Sequence, residues 1–489
     1  MYERTPSFIL PAGAWTRPVP ERSWNGKATG RPHLARPFIL VADRRYTDIP
    51  ENNYFHSPTS PANHLIKNSC FHALMRQPAS SLDLFTDSVR LMGDATLISV
   101  MEFDRRLAVE RMEAALSRCL DAYPILSSRL VRDGGPAYWE FMGRKDGDDD
   151  VDIVEIGNED LRPFVTGPMD PHRGRQAKVR LLRSSDRDTV VINLAHAAAD
   201  GHGLQVLSRA LLEAYVKPLS VPSADGTLPE RDTLWTAELL DDDNDIPDGL
   251  EVIDPMWPSP CGPSKAPSTF HRAHIPAEGI ESIRNLAHAH GGTINDVLMA
   301  AYFLSMSDRT GHYGPLKVFF PVDLRRYLPD GSREMTNQAA NVSIPLTRAK
   351  GEGMPELLRK IIDQTARLKK RRIGIREQVA FDRGCDPAGI TVKRMVEEMA
   401  SEQARGWADI FISNPGRFEL PTVPGLQDAY ICYPGGYMPT TCFVISTFRG
   451  TMSVSMGYQD DEGPREATRR ALAGFVGHLP VDHTQVIPF

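Results

Sequence analysis

Residues 189–216, TVVINLAHAAADGHGLQVLSRALLEAYV, predict a strand, a turn and a helix in direct succession. The continuous β-branched block 189–192 has the composition of a strand buried on both faces. Downstream, residues recur at helical spacing: Leu204, Leu207, Ser208, Leu211, Leu212 and Tyr215. His196 therefore lies where a strand gives way to a loop and then a helix, a junction at which functional residues are often held on a rigid scaffold.

His196 is the candidate for chemistry in this loop. A histidine, with an unperturbed pKa near 6.5, is suited to accept a proton at neutral pH. Asp200 is expected to hold the loop by pairing with a distant arginine, and Gly201 to allow a backbone angle or close approach forbidden to other residues. Spacing alone leaves a core histidine beside a helix-capping Asp-Gly turn as an equally good interpretation.

His202 raises a metal-dependent alternative, because His196, Asp200 and His202 could share one ion. Catalytic metal sites usually need further ligands from elsewhere in the chain, together with an open position for water. The sequence has no second compact His/Asp cluster. A metal hydrolase is therefore the least favoured interpretation, and no bound cofactor is expected.

The pattern of helices and strands along the 489 residues predicts an α/β protein with three segments. Residues 1–77 form an irregular N-terminal extension. Residues 78–267 form a first lobe that ends in a crossover rich in proline and acids, and residues 268–489 form a second lobe. The clearest strand predictions are Ala95–Phe103, Phe270–Ile275, Leu316–Val322, and a hairpin of Phe443–Phe448 with Met452–Tyr458.

Composition narrows the class of protein. A chain of 489 residues exceeds the size at which one core keeps growing, and the net charge of −7 argues against a general nucleic-acid binder. The first residues lack a signal-peptide pattern, and no apolar run reaches membrane-spanning length. The six cysteines form no CxxC pair, which favours free thiols in a reducing compartment. We therefore expect a soluble, cytoplasmic protein.

The six residues from His196 to Gly201 resemble the HxxxDG signature of the CoA-dependent acyltransferase superfamily. This group includes chloramphenicol acetyltransferase, plant BAHD enzymes, alcohol O-acyltransferases, mycobacterial polyketide-associated acyltransferases and nonribosomal peptide condensation domains. Five other segments are similar to motifs of the same enzymes and follow in the expected order: Tyr123–Leu126, Thr293–Ala301, Pro321–Arg325 (PVDLR), Asn337–Pro345 and Ile412–Gly416. The resemblance spans about residues 78–478.

The resemblance implies a fold of two chloramphenicol-acetyltransferase-like lobes, each a mixed sheet flanked by helices, with an active-site tunnel between them. It implies that His196 is the general base and that Asp200 is structural, paired with Arg325. The donor would be acyl-CoA or an acyl carrier protein, and the protein would be a monomer. Candidates for binding the oxyanion or the substrate are Asn414, Ser446, Thr447 and Asn341, although an ordinary structural role is the favoured interpretation of each.

Two departures from the family shape the expected activity. Condensation domains usually carry HHxxxDG, whereas Ala195 precedes His196 here, and the DFGWG segment of the plant enzymes is absent. We therefore expect transfer of an acyl group to a hydroxyl, less favourably to an amine, in secondary or lipid metabolism. A free-standing, amide-forming condensation enzyme and a non-catalytic member that binds a carrier protein or ligand remain alternatives.

Overall fold

Two β-sheets, one of five strands and one of seven, form the frame of the protein. The structure is a computed structural model, and it describes residues 76–144, 147–157, 159–217, 231, 257–258, 264–328, 335–408, 410–434, 441–482 and 487–488. The predicted N-terminal extension, apart from its last two residues, lies outside the described residues. So does most of the predicted crossover after residue 217.

The five-stranded sheet carries the predicted histidine junction. In spatial order its strands are β14 (Leu426–Cys432), β2 (Thr96–Phe103), β7 (Asp188–Ala195), β6 (Ala177–Arg183) and β5 (Asp152–Glu155). All eight residues of β7 are buried, which confirms the predicted buried strand. The helices beside this sheet are α2 (Val109–Ala122) and α3 (Gly201–Val216), whose apolar faces share one core with β7.

A small sheet and a short helix complete the first half of the fold. The sheet joins β1 (Arg76–Pro78), β4 (Tyr138–Phe141) and β3 (Ser128–Val131). The helix α1 (Ser81–Ser88) begins in a capping box, in which the side chain of Asp83 accepts the backbone N–H of Ser80. These elements bring Asp83 into the interior.

The seven-stranded sheet is mixed. In spatial order its strands are β11 (Ala339–Leu346), β10 (Leu316–Asp323), β13 (Ile410–Arg417), β15 (Thr441–Phe448), β16 (Thr451–Gln459), β9 (Ser268–Ile275) and β17 (Ile487–Pro488). Only β13 runs parallel to its neighbours, β10 and β15. A separate two-stranded pair joins β8 (Trp257–Pro258) to β12 (Trp407–Ala408).

Helices flank this second sheet. They are α4 (Ala277–Ala289), α5 (Ile294–Thr310), α6 (Met354–Lys370), α7 (Ile375–Gly384), α8 (Ile390–Ala404) and α9 (Glu462–Gly477). The central helix α5 is buried along most of its length and packs in the main core of this half. None of the described helices is both long and apolar enough to cross a lipid bilayer.

Two local predictions in the second half are confirmed. The side chain of Asp296 accepts the backbone N–H of Thr293 at 2.7 Å, as the predicted capping box at the start of α5 requires. The strands β15 and β16 form the predicted hairpin, with Phe448 opposite Thr451. The turn residues Arg449 and Gly450 have φ angles of 46° and 86°, as a two-residue turn between twisted strands requires.

One strand crosses between the two halves of the sequence. β14 lies in the segment predicted as the second lobe, yet it pairs antiparallel with β2 at the edge of the five-stranded sheet. The hydroxyl oxygen of Ser446 on β15 accepts the N–H of Ile431 on β14 at 3.0 Å. The two sheets are therefore connected in two ways. A strand from the second half of the sequence forms the edge of the five-stranded sheet, and a hydrogen bond from that strand to Ser446 links it to the seven-stranded sheet.

Candidate active site

His196 lies directly after the last residue of β7. Its backbone N–H donates to the carbonyl of Ala95 at 3.2 Å, so the ladder between β7 and β2 extends one residue beyond the strand. A tight turn follows, and Asp200 is the N-cap of α3, where its side chain accepts the N–H of Gly203 at 3.2 Å. A buried central strand and a capped helix thus hold the histidine loop, residues 196–200, at both ends.

The carboxylate of Asp200 connects this loop to the second sheet. Arg325, just beyond the end of β10, donates to both of its oxygens, at 2.9 and 3.2 Å. The backbone N–H of Gln338 donates to the same carboxylate at 2.8 Å. Arg325 also donates to the carbonyl of Thr336 at 2.8 Å. The structure therefore contains the ion pair that the family resemblance implied, in the bidentate geometry that fixes orientation as well as charge.

Both members of this pair are charged. Burial raises the pKa of Asp200, but the positive charge and hydrogen bonds of Arg325 outweigh that effect and hold the pKa below its usual value. Burial lowers the pKa of Arg325, and the charge of Asp200 more than compensates, so the net pKa is raised. The exposed fractions are 3% for Asp200 and 6% for Arg325, so solvent screens this attraction little.

His196 is half-buried as a residue, and its imidazole is surrounded by protein. Burial lowers its pKa below the usual value, and backbone groups of the loop, Asp200 and Asn337 oppose part of that shift. The Nδ1 atom is itself buried and makes no well-aligned hydrogen bond to any described residue. A neutral imidazole is the form required of a general base.

Two further residues hold the loop by its backbone carbonyls. The amide nitrogen of Asn337 donates to the carbonyls of His196 and Ala197, at 3.0 and 2.9 Å. The guanidinium of Arg231 donates to the carbonyl of Ala198 at 2.6 Å, and both residues donate to the buried carboxylate of Asp83. We did not predict these contacts from the sequence: only Asn337 falls in a segment with a motif resemblance.

Asn414 lies in an irregular part of β13 beside α3. Its amide nitrogen donates to the side-chain oxygen of Asn295 at 2.6 Å, and its own oxygen accepts the N–H of Gly416 at 3.0 Å. The carbonyl of the adjacent Pro415 accepts the side-chain amide of Gln205 at 3.1 Å. The segment Ile412–Gly416, one of those that resemble motifs of the family, therefore contacts the helix that follows the histidine loop.

The other three candidates lie on neighbouring strands. Ser446 is buried and accepts the N–H of Ile431, which gives it a structural partner. Thr447 is half-buried on β15, and Asn341 is exposed on β11 opposite Pro321. Among the described residues, no hydrogen bond links any of the four candidates to His196. Their roles in binding stay predictions.

The expectation that Gly201 adopts a backbone angle forbidden to other residues is wrong. The φ angle of Gly201 is not in the left-handed region, and a Cβ atom there would lie 3.7 Å from the Cβ of Pro415, an ordinary van der Waals contact. The loop turns without a special backbone angle at Gly201 because Asp200 has extended geometry as the N-cap.

The geometry does not favour a shared metal ion. The carboxylate of Asp200 already accepts from Arg325 and from two backbone N–H groups. His202 lies 4.0 Å from a carboxylate oxygen of Asp323, and both side chains are partly exposed. Within the described part of the chain, no three histidine, cysteine or acidic side chains are grouped so as to hold a metal.

Known proteins were compared with the chain by sequence and by structure. No protein-family model and no curated protein matches the chain. Solved structures do: the first condensation domain of the CDA synthetase has 15% identity and a TM-score of 0.56, with 85% of this chain and 99% of that chain covered. The chain has the fold of condensation domains and the related CoA-dependent acyltransferases.

Two further structures show the range of proteins with this condensation-type fold. Polyketide synthase associated protein 5 from Mycobacterium tuberculosis has 16% identity and a TM-score of 0.55, with 82% of this chain and 97% of that chain covered. The SgcC5 protein from Streptomyces globisporus, crystallised with (R)-(-)-1-(2-naphthyl)-1,2-ethanediol and sucrose, has 17% identity and a TM-score of 0.56, with coverages of 82% and 98%. The predicted two-lobed α/β architecture is thereby confirmed.

Proposed function

We propose that the protein is an acyltransferase that moves an acyl group from a thioester to a hydroxyl group, with His196 as the general base. The observation that supports this proposal is the histidine loop itself, which carries a neutral imidazole and ends at a bidentate Asp200–Arg325 pair linking the two sheets. A fixed base at such a contact is suited to a reaction between two substrates that must meet in one geometry.

One general base is sufficient for the whole reaction, because the proton that it takes is later returned. A ring nitrogen of His196 takes the proton of the acceptor hydroxyl as the oxygen attacks the thioester carbonyl. The tetrahedral intermediate collapses with cleavage of the C–S bond, and the imidazolium returns the proton to the departing thiolate. The products are an ester and a free thiol, and the imidazole is regenerated, so the reaction needs no further co-reactant.

The choice of donor is between CoA and a carrier protein. The condensation-type fold occurs in the first condensation domain of the CDA synthetase and in a polyketide synthase associated protein. A phosphopantetheine thioester, the reactive group common to CoA and carrier proteins, is therefore the donor chemistry that we propose. We also propose that the protein is cytoplasmic and monomeric.

A hydroxyl acceptor is favoured over an amine. Position 195, histidine in most condensation domains, is a buried alanine at the end of β7, so a second imidazole is missing beside His196. The SgcC5 crystals held a diol, a compound with hydroxyl groups and no amine. An amide-forming enzyme is the second candidate, supported by the condensation domain among the structural matches.

The test is product analysis by mass spectrometry. The purified chain is incubated with a panel of acyl-CoA and acyl carrier-protein donors and with alcohol and amine acceptors. We expect ester products from the wild type and a loss of about 10²–10⁴-fold in rate for His196→Ala, the range for a general base. His202→Ala is the matched control, and we expect it to retain activity.

Each alternative predicts a different result. Amide products would favour the condensation enzyme over the O-acyltransferase. Loss of activity in His202→Ala, or after dialysis against a chelator, would favour the metal hydrolase. A folded His196→Ala protein with full transfer activity would refute the proposal, and thioester binding without turnover would point to a non-catalytic member.

A further inference from the structure

A second set of buried polar residues holds the histidine loop from the side of α1. Asp83 is fully buried and accepts hydrogen bonds from the guanidinium of Arg231 at 2.6 and 2.9 Å. The indole N–H of Trp139 donates to the same carboxylate at 2.9 Å, and the backbone N–H of Ser80 at 3.1 Å. Such a set of donors fixes the position of the carboxylate.

Asp83 in turn determines the orientation of the Asn337 amide. The Nδ2 atom of Asn337 lies 2.9 Å from Oδ1 of Asp83, 3.0 Å from the carbonyl oxygen of His196 and 2.9 Å from that of Ala197. All three neighbours are oxygens without hydrogens, so the opposite orientation would place the amide oxygen against three acceptors. The donor end of the amide must therefore face them, which leaves Oδ1 to accept from a different donor.

Two buried polar atoms at this place lack an aligned partner among the described residues: Oδ1 of Asn337 and Nδ1 of His196. One is an acceptor, and the other becomes a donor when it carries the ring proton. The side chain of Asn337 contacts the backbone of His196 and lies close enough to the imidazole to act on it as a hydrogen-bonding group, which raises the His196 pKa. Pairing them would satisfy both, as buried polar groups require.

We propose that Asn337 is a positioning residue for His196. Its Oδ1 accepts the Nδ1 proton and so leaves the lone pair on Nε2, while Asp83 and Arg231 hold the amide in the orientation that makes this possible. The tautomer of a histidine is set by the hydrogen bond of its other nitrogen, and a base with the wrong tautomer cannot accept a proton from the substrate. The inference rests on the proposed function, because it takes His196 as the base.

The tautomer can be measured without any substrate. Protein labelled with ¹⁵N-histidine is studied by long-range ¹H–¹⁵N NMR above pH 8, and the His196→Gln spectrum assigns the His196 signals. We expect the wild type to carry its proton on Nδ1. In Asn337→Ala we expect averaged shifts from both tautomers, and Asp83→Asn, which keeps the side-chain shape, should show the same trend.

Asp188→Asn is the matched control. Asp188 is also fully buried and is bound by Arg183 at 3.0 Å, but it lies at the opposite end of β7. We expect this variant to lose stability with no change in the His196 signals. An Nε2-protonated wild type, or an Asn337→Ala protein that keeps the pure Nδ1–H form, would overturn the inference.

Kinetics give an independent measure. If the tautomer is lost, kcat of Asn337→Ala should fall at least about tenfold, within the contribution of a general base, while KM changes by less than about twofold. A change in KM alone would contradict a positioning role. If the wild type transfers no acyl group at all, the proposed function fails, whereas the NMR result still decides the tautomer.

Discussion

The carboxylate of Asp200 accepts two hydrogen bonds from Arg325, which lies 125 residues further along the chain and beside the other sheet. The same carboxylate caps α3 through Gly203 and accepts the N–H of Gln338. One side chain thus joins the strand-to-helix turn of the five-stranded sheet to the ends of β10 and β11. The position of His196 relative to the second sheet follows from this junction.

Asp200→Asn should destabilise the protein by about 3–5 kcal/mol, the usual cost of leaving one member of a buried ion pair without its partner. Asparagine keeps the shape but turns an NH₂ group toward donors and leaves the buried Arg325 with only the partly exposed carboxylate of Asp323 as a counter-charge. Urea unfolding followed by circular dichroism measures the change. Asp323→Asn is the control: Asp323 also accepts from Arg325 but is 44% exposed, so we expect a loss of no more than about 1 kcal/mol. Equal losses in both variants would contradict the importance of burial.

The acidic limb of the pH–rate profile should lie below pH 6.5. Burial lowers the pKa of His196, so the imidazole stays neutral, and able to accept a proton, at pH values where a free histidine is already protonated. The measurement is kcat/KM between pH 4.5 and 8 with an alcohol acceptor that does not ionise in this range. A midpoint above 6.5 would show that the charged imidazole is favoured in the site.

The parts of the fold that can be predicted are those with a characteristic pattern in a short stretch of sequence. The strand β7 was evident from an unbroken β-branched run, the start of α5 from a capping box, and the β15–β16 hairpin from two apolar runs around Arg449-Gly450. The strand β14 was not predicted. Its partner β2 lies more than 300 residues earlier, and no local pattern specifies so distant a pairing.

The residues of the candidate site also fall into two groups: those that a short motif predicts, and those that only the folded structure brings together. Arg325 was predictable as the partner of Asp200, because both lie in short motifs with a family resemblance. Asp83 and Arg231 are single residues 148 positions apart, and only packing brings them together. Within one segment Asn341 was the candidate, but the structure exposes it on β11 and places Asn337, just before the strand, against the loop. The catalytic role of His196 itself stays a prediction.

Gly201→Ala should be tolerated, despite the place of this glycine in the HxxxDG pattern. A Cβ atom at 201 would make only ordinary contact with Pro415, and alanine is the better helix former at the start of α3. We expect the free energy of unfolding to stay within about 1 kcal/mol of the wild type.

The control for Gly201→Ala is Gly374→Ala. Gly374 has a φ angle of 94°, and a Cβ atom there would lie 2.8 Å from a methyl carbon of Leu324. Backbone strain and steric overlap should together make this variant clearly less stable than Gly201→Ala in thermal unfolding. A Gly201→Ala protein as unstable as Gly374→Ala would show that position 201 needs glycine for a reason beyond its backbone angle and space.

His172 should stabilise the protein more at low pH than at high pH. A histidine that is buried in its neutral form would have the opposite effect. Its Nδ1 lies 2.8 Å from the carbonyl of Leu130, and its Nε2 lies 3.0 Å from the carboxylate of Asp87. Both neighbours can only accept, so the protonated ring, which carries a hydrogen on each nitrogen, matches both contacts. The hydrogen bond to Asp87 raises the pKa of His172 above its usual 6.5.

Stabilisation by a raised histidine pKa is complete below the unfolded value, about 6.5, and is lost as pH rises through the folded value. The difference in urea midpoint between the wild type and His172→Gln should therefore be largest below pH 6.5 and shrink at higher pH. His288→Gln, at an exposed position on α4, is the control and should differ little from the wild type at any pH. A difference for His172→Gln that grows with pH would mean that the neutral ring is the stabilising form, and the hydrogen bond from Nε2 to Asp87 would then have to be assigned differently.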